Sequence, residues 1–308
     1  TLSDRDTVHY QKKIVDFRGQ NTLQKKIIET FNNFRPDALI LGHADRVSSK
    51  TLEIIKERNR DIKIGQWFLD PLSKFGPDHQ NNSKRILDKI DFIDSTFLTT
   101  DPNSLPIKIP NSSFIPNPSD KSFEILENYK KECSFDVFFA MSHGVHRGIL
   151  KKGKFDVREN IINKLMSTIP NVKFDIYGMN NIQPIWADEY LKTIADSKMA
   201  LNLSQGLPVK YYSSDRISQM VGNGLLTFVD NKTSLSDFFS SKEIIFYNSI
   251  NDLAEKINKY NTDDRSRIKI AKAGKKKYFK YFNSSIVAQF IIDKTFENSN
   301  NKFYWDKR

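Results

Sequence analysis

Between residues 210 and 224 the chain collects polar side chains that suit a phosphorylated or sugar ligand. The stretch runs Lys210-Tyr211-Tyr212-Ser213-Ser214-Asp215-Arg216, then Gln219, Gly222 and Gly224. An arginine fork matches phosphate oxygens, and a helix start at Arg216 adds a favourable dipole. The tyrosine and serine hydroxyls can bond sugar or phosphate, and a glutamine can serve two hydroxyls at once. Apolar runs at 199–203 and 225–229 flank the stretch and read as strands. A strand, a polar loop, a short helix and a second strand make one unit of a parallel α/β sheet. Ligands of such sheets bind beyond the carboxyl ends of the strands.

Other residues are placed to do chemistry. Ser142-His143-Gly144-Val145-His146-Arg147-Gly148 follows an apolar strand. Its glycines allow close backbone approach, and His146 and Arg147 add donors. Tyr177-Gly178 ends another strand. Asp70, just before Pro71, could accept a proton from an incoming hydroxyl, and His43 and Asp45 after the strand at 37–42 are similar catalytic candidates. Trp67 and Phe68 read as core. The five histidines show no metal-ligand spacing, and no Asp-x-Asp ends a strand, so no metal site is expected.

The elements that must position these groups alternate along the chain. Helices are expected at 22–34, 48–58 and 82–90, and strands at 37–42, 63–70 and around 97–100. The segment 119–132 is charged and reads as a helical connector. A second series follows: strands at 135–140, 172–178, 199–203, 225–229 and 243–247, with helices at 158–169, 186–196, 251–260 and 264–282. A last helix at 284–297 carries Ile286, Val287, Phe290, Ile291 and Phe296, which need an apolar partner. The expected fold class is α/β, with two Rossmann-like domains whose parallel sheets face across a cleft. The boundaries are 1–122, 123–283 and a terminal helix and tail, 284–308, packing back on the first domain. The opening on Thr1 leaves room for a missing upstream segment.

Composition limits the function classes. The 308 residues are 38% hydrophobic and 12% aromatic, which can build full cores. No apolar run reaches the ~20 residues of a membrane span. A single cysteine, Cys133, excludes an internal disulfide and fits a reducing cytoplasm. The net charge of +11 suits phosphates or an anionic membrane face. No nucleic-acid-binding motif accompanies it, so nucleic acid is not an expected partner.

The second half resembles the CgeB-like glycosyltransferases, relatives of the group 4 retaining transferases of GT-B fold. The series is Leu201-Asn202, Ser214-Asp215-Arg216, Gln219, Gly224, then 235–239, 243–247, Asp252-Leu253, Arg267, Ala273-Gly274 and Tyr278. The first half is similar more weakly, through 36–41, 67–70, 97–101 and 115–118. The resemblance implies a nucleotide-sugar donor, a glycan, lipid-linked or protein acceptor, and no metal or other cofactor. It implies that His143, Gly144, His146 and Arg147 face the donor pyrophosphate and that Tyr177 and Gly178 lie near the base. Lys210, Tyr211, Tyr212, Ser213, Ser214, Arg216 and Gln219 would complete the donor site, and Asn117 would sit at the hinge on the acceptor side. Two departures stand out. Gln219 occupies the place of the family's ribose-gripping glutamate, and Tyr211 stands where an E-x7-E motif would begin. They leave retaining and inverting chemistry both open. The expected activity is glycosyl transfer in bacterial surface-polysaccharide or glycoconjugate synthesis, in the cytoplasm or at the inner face of its membrane. The alternatives are an epimerase or hydrolase of the same fold and a non-catalytic nucleotide-sugar-binding module. Donor turnover with and without an acceptor separates the three.

Overall fold

A computed structural model describes residues 19–74, 79–142, 156–298 and 300–306. The chain forms two compact units. One holds the described residues up to Ile115 together with 288–302, and the other holds Pro116–Val287 and the tail from Phe303.

In the first unit α1 (Gln20–Phe34) precedes β1 (Ala38–Gly42), α2 (Ser49–Arg58), β2 (Lys63–Phe68), α3 (His79–Leu87), β3 (Ser95–Leu98) and β4 (Ser112–Phe114). The strands pair in parallel in the order β1-β2-β3-β4. Ser48 caps α2 by accepting the Thr51 N–H, which fixes where that helix begins. Leu41, Leu52, Ile55, Ile62 and Ile64 pack on one side of the sheet, and Phe68, Leu72, Ile86 and Leu98 form a second cluster. β1 is less buried than its apolar sequence suggests, with Ile40 exposed. It is an edge strand among the described residues, so only part of it is covered.

The second unit contains β5 (Phe135–Ala140), α4 (Val157–Thr168), β6 (Phe174–Tyr177), α5 (Ala187–Ile194), β7 (Ser197–Asn202), α6 (Arg216–Gly222), β8 (Leu226–Asp230), β9 (Ile245–Tyr247), α7 (Ile250–Thr262) and α8 (Asp264–Tyr281). Its parallel sheet has the order β6-β5-β7-β8-β9. Val137, Phe139, Met199, Leu201, Leu226 and Phe228 are fully buried, as strands covered on both faces must be. Gly178 has φ +77°, and a Cβ there would lie 1.6 Å from the Met141 carbonyl oxygen. The glycine is what lets the ends of β5 and β6 close on each other.

The segment 119–132 is not a helix. Only a 3-10 turn, Asn128–Lys130, interrupts an irregular path. Its backbone groups are taken by tertiary partners that outcompete the helical pattern. Asn223 Oδ1 accepts the Leu126 N–H at 3.0 Å, Asn223 O accepts the Asn128 N–H at 3.1 Å, and Lys275 Nζ donates to Leu126 O at 2.6 Å. The last helix, α9 (Ser284–Thr295), begins in the second unit and ends in the first. Val287 and Phe290 are buried, and Phe290 meets Phe97 edge-on at 6.1 Å. Phe296 finds no such cover and is partly exposed.

Candidate functional site

In the second unit the strand order reverses direction between β5 and β7, because β6 lies on one side of β5 and β7 on the other. A crevice must open outside the carboxyl ends of two such strands. A cavity of about 620 Å³ lies there, of the size that small-molecule sites occupy. Ala140 and Met141 from the end of β5 line it, with Tyr190 of α5, Arg216 and Gln219 of α6, and Glu124 from the irregular connector.

Arg216 is the one cation among the described residues that line this cavity, which Glu124, Asp188 and Asp215 also line. Its Nη2 donates to Leu203 O at 2.6 Å, at the end of β7. Its Nε is shut off from solvent and has no hydrogen-bond partner among the described residues. Burial, and then the nearby Arg158 guanidinium, hold its pKa below the ordinary arginine value. Its place in the first turn of α6 puts a cation at the positive end of a helix, which is also unfavourable. Arg158 is different. Both its Nε and Nη2 bond the Asp156 carboxylate, at 2.9 and 2.7 Å, and both side chains are buried. Arg216 makes no ion pair with any described carboxylate. Arg216 is only partly buried and Asp215 lies near enough to favour its charge, but its Nε is shut off from solvent and no carboxylate pairs with it, a cost that a ligand's anion would offset. Tyr190 lines the same cavity, and its hydroxyl is shut off from solvent and lacks a partner among the described residues. Burial pushes its pKa upward, so it stays a neutral donor. Two donors beside this cavity, Arg216 Nε and the Tyr190 hydroxyl, are thus left without a hydrogen-bond partner among the described residues.

Glu124 was not legible in the sequence as a site residue. It is buried, and one oxygen, Oε2, accepts the Asp120 N–H at 2.6 Å. Burial raises its pKa. Its side chain rests on Gly222, where a Cβ would lie 2.6 Å from Glu124 Cγ. A carboxylate thus reaches the cavity that Gln219 lines, from a segment almost a hundred residues upstream. Tyr190 was missed for a related reason, since an apolar helix face is the only local signal it carries.

The other donor candidates divide. Ser213 is buried, exchanges hydrogen bonds with Asn202 of β7, and its carbonyl accepts Asn117 Nδ2 at 3.0 Å. Asn117 is itself buried, and its carbonyl accepts the Tyr278 hydroxyl at 2.7 Å. These contacts pin the loop that carries Arg216. The Ser214 N–H is accepted by Ser204 Oγ at 3.2 Å. Tyr211, at φ 63°, donates its hydroxyl to Asp237 and packs on Phe238, while Lys210 lies over its ring. Tyr212 is buried. Lys210, Tyr211, Tyr212, Tyr177 and Gly178 are not among the described residues lining the cavity. His143, Gly144, His146 and Arg147 lie outside the described residues.

In the first unit a single residue gathers all three catalytic candidates. Arg85 of α3 donates from Nε to Asp45 at 2.8 Å, from Nη1 to Asp70 at 2.8 Å, and from Nη2 to His43 Nδ1 at 2.8 Å. Its guanidinium lies over the Phe68 ring, on which the His43 ring stacks. The two carboxylates raise the arginine's pKa against the opposing effect of burial. His43 sits at φ 49°, a strained conformation for a non-glycine residue. The preceding Gly42 is required there, since a Cβ would lie 2.2 Å from Trp67 Nε1. Because arginine only donates, Nδ1 is the acceptor and the neutral ring carries its proton on Nε2. Among the described residues no three His, Cys, Asp or Glu side chains gather as a metal site, and no helix is long and apolar enough to cross a membrane.

Residues 158–293 match a family model described as glycosyl transferase-like. Several solved structures share the architecture. TarM superimposes with a TM-score of 0.59 at 14% identity over 89% of this chain, which spans 58% of TarM's length. HepE of Anabaena, solved with UDP and glucose, gives 0.59 at 11% identity over 90% of this chain and 82% of its own. Sucrose-phosphate synthase of Thermosynechococcus elongatus gives 0.53 at 12% identity over 90% of this chain and 79% of its own. The fold is GT-B. Comparison with curated proteins found no match. Arg216 and the strands β6 to β9 lie within the stretch that matches the family model, and β5 precedes it.

Proposed function

We propose that this chain is a CgeB-like glycosyltransferase that moves a sugar from a nucleoside-diphosphate donor to a glycan, lipid-linked or protein acceptor in bacterial surface-polysaccharide or glycoconjugate synthesis. It works in the cytoplasm, in part at the inner face of the membrane. The observation that carries the reading is Arg216, a guanidinium with a buried Nε, no described carboxylate partner and a second arginine nearby, at the switch point of a parallel sheet. The diphosphate would give Arg216 the ion-pairing anion that no described carboxylate supplies, in a cavity also lined by Glu124, Asp188 and Asp215.

In the transfer, the bond between the sugar C1 and the diphosphate oxygen breaks, and its electron pair leaves with the nucleoside diphosphate. Arg216 and the Tyr190 hydroxyl meet that charge as preorganised donors. Glu124 and Gln219 accept from donor hydroxyls, so a carboxylate is present although position 219 lacks one. The acceptor oxygen bonds C1 and gives its proton to a base. Of the three candidates in the first unit Asp70 is favoured, because its side chain remains 40% exposed while Arg85 holds the other oxygen. His43, with its proton on Nε2, serves as a donor.

A thermal-shift screen against UDP, GDP, CDP, CMP, ADP and dTDP tests the donor site. Selective stabilisation by one of them is expected from binding linkage. UDP is the first probe because HepE holds it. No shift with any nucleotide refutes the reading. Turnover of the matching sugar nucleotide only when an acceptor is present distinguishes transfer from epimerisation or hydrolysis.

A further inference from the structure

Helix α8 carries a charge pattern that the donor site does not use. Arg265, Lys269, Lys272, Lys276 and Lys280 recur at steps of four and three, and all five are exposed. They form one stripe along the helix, about 22 Å long at 1.5 Å per residue. The opposite face, with Arg267, Ala271, Gly274 and Tyr278, is buried in the second unit. Lys269, Lys272, Lys276 and Lys280 make no ion pair with any described carboxylate. Solvated helix faces ordinarily alternate charge signs, and this one does not.

Apolar groups accompany the stripe. Ile268 lies within it, 36% exposed. A groove of about 550 Å³ runs between α8 and the irregular connector, lined by Lys121, Ile125, Lys272, Lys275, Lys276 and Phe279. Ile125 is 59% exposed there, and Phe123, two residues away, is 72% exposed. The two acids at the groove are already engaged. Glu124 accepts the Asp120 N–H, and Glu127 takes Lys130 and the Tyr129 hydroxyl.

The geometry points to this face as the surface by which the protein sits on an anionic lipid bilayer. Five cations along about 22 Å of helix fit an extended plane of headgroups better than a single small ligand. The exposed Ile125, Ile268 and Phe123 supply what a bilayer accepts and a nucleic-acid backbone does not, namely apolar side chains that enter the headgroup boundary. The inference deepens the proposed membrane association and rests on it. It has a consequence for the acceptor. Glu124 lines both the groove and the donor cavity, so a lipid-linked acceptor held at this face would lie beside the donor.

The test is flotation of the full chain with phosphatidylcholine vesicles with and without phosphatidylglycerol. A K269Q/K272Q/K276Q/K280Q variant is compared with a K25Q/K26Q/K50Q/K108Q variant that removes the same charge from the first unit. Wild type and the second variant should float with phosphatidylglycerol vesicles only. The α8 variant should partition at least about 100-fold more weakly, since each basic residue near such a surface contributes about a fivefold factor. Equal loss in both variants would reduce the effect to net charge and overturn the assignment, as would flotation of the α8 variant like wild type. Wild type that is retained on a DNA duplex and ignores the vesicles would overturn it in favour of nucleic acid. UDP thermal shifts on the same preparations keep the tests apart, because intact nucleotide binding with no flotation removes only the membrane surface.

Discussion

Replacing Arg216 with methionine separates a binding arginine from a structural one. The substitution keeps an apolar side chain of similar length against Phe139, whose ring lies 6.0 Å from the guanidinium carbon. It removes the Nη2 bond to Leu203 O, a loss of about 1 kcal/mol. It also removes a charge that burial and Arg158 both disfavour, which offsets that loss. Unfolding should therefore stay within about 1 kcal/mol of wild type, a few degrees at most for a chain of this size. Nucleotide binding should not stay. A hydrogen bond to a charged group contributes about 1.5–3 kcal/mol. The UDP dissociation constant, read by calorimetry, should rise roughly 10- to 150-fold. Arg158→Met is the contrasting case. It strands the buried Asp156 and should cost about 3–5 kcal/mol of stability. If Arg216→Met left UDP affinity within about twofold of wild type, or destabilised as much as Arg158→Met, the assignment of Arg216 to an anion site would fail.

Four further outcomes follow from the same geometry. Glu124→Gln should weaken UDP binding while leaving stability at neutral pH equal or higher: a carboxyl whose folded pKa is raised makes the native state bind the extra proton, so its contribution to stability falls as pH rises through that window, and pH-dependent melting of the two proteins checks the sign. Arg85→Met should cost about 1–3 kcal/mol at neutral pH by leaving Asp45 and Asp70 unpaired, and chemical denaturation reads it. Asp120 is held at about 2, chiefly by hydrogen bonds from Ser122 and Ser284, so its contribution is present above the ordinary value of 3.8 and is lost as pH falls toward 2; Ser284→Ala should move its NMR titration back up. Gly178→Ala should destabilise by roughly 3 kcal/mol or more, visible as poor soluble expression, because both φ and the Met141 carbonyl exclude a Cβ.

The order of elements was readable from the sequence because apolar periodicity is local. The buried strands at 135–140 and 199–203, the helix after Ser48 and the polar loop before Arg216 each announce themselves within a dozen residues. The same locality let Arg216 and Gln219 be named, since loop and helix start at the end of a strand in this fold class. It failed at 119–132, where charged residues read as helical but their backbone is claimed by Asn223 and Lys275. It failed at Phe296, whose apolar character promised a partner that packing does not provide.

By itself, then, the sequence determined an alternating α/β chain with two parallel sheets and a polar loop poised for a phosphorylated ligand, because residue type and spacing act over one or two elements. Tertiary structure alone decided which charges meet. It placed Arg85 at the centre of His43, Asp45 and Asp70, left Arg216 without an ion-pairing carboxylate, and carried Glu124 and Tyr190 to one cavity. Arg85 lies 42 positions from His43, and Glu124 lies 66 before Tyr190, so no local pattern encodes these meetings. The cavity wall follows from where the switch in strand order opens the second unit's sheet.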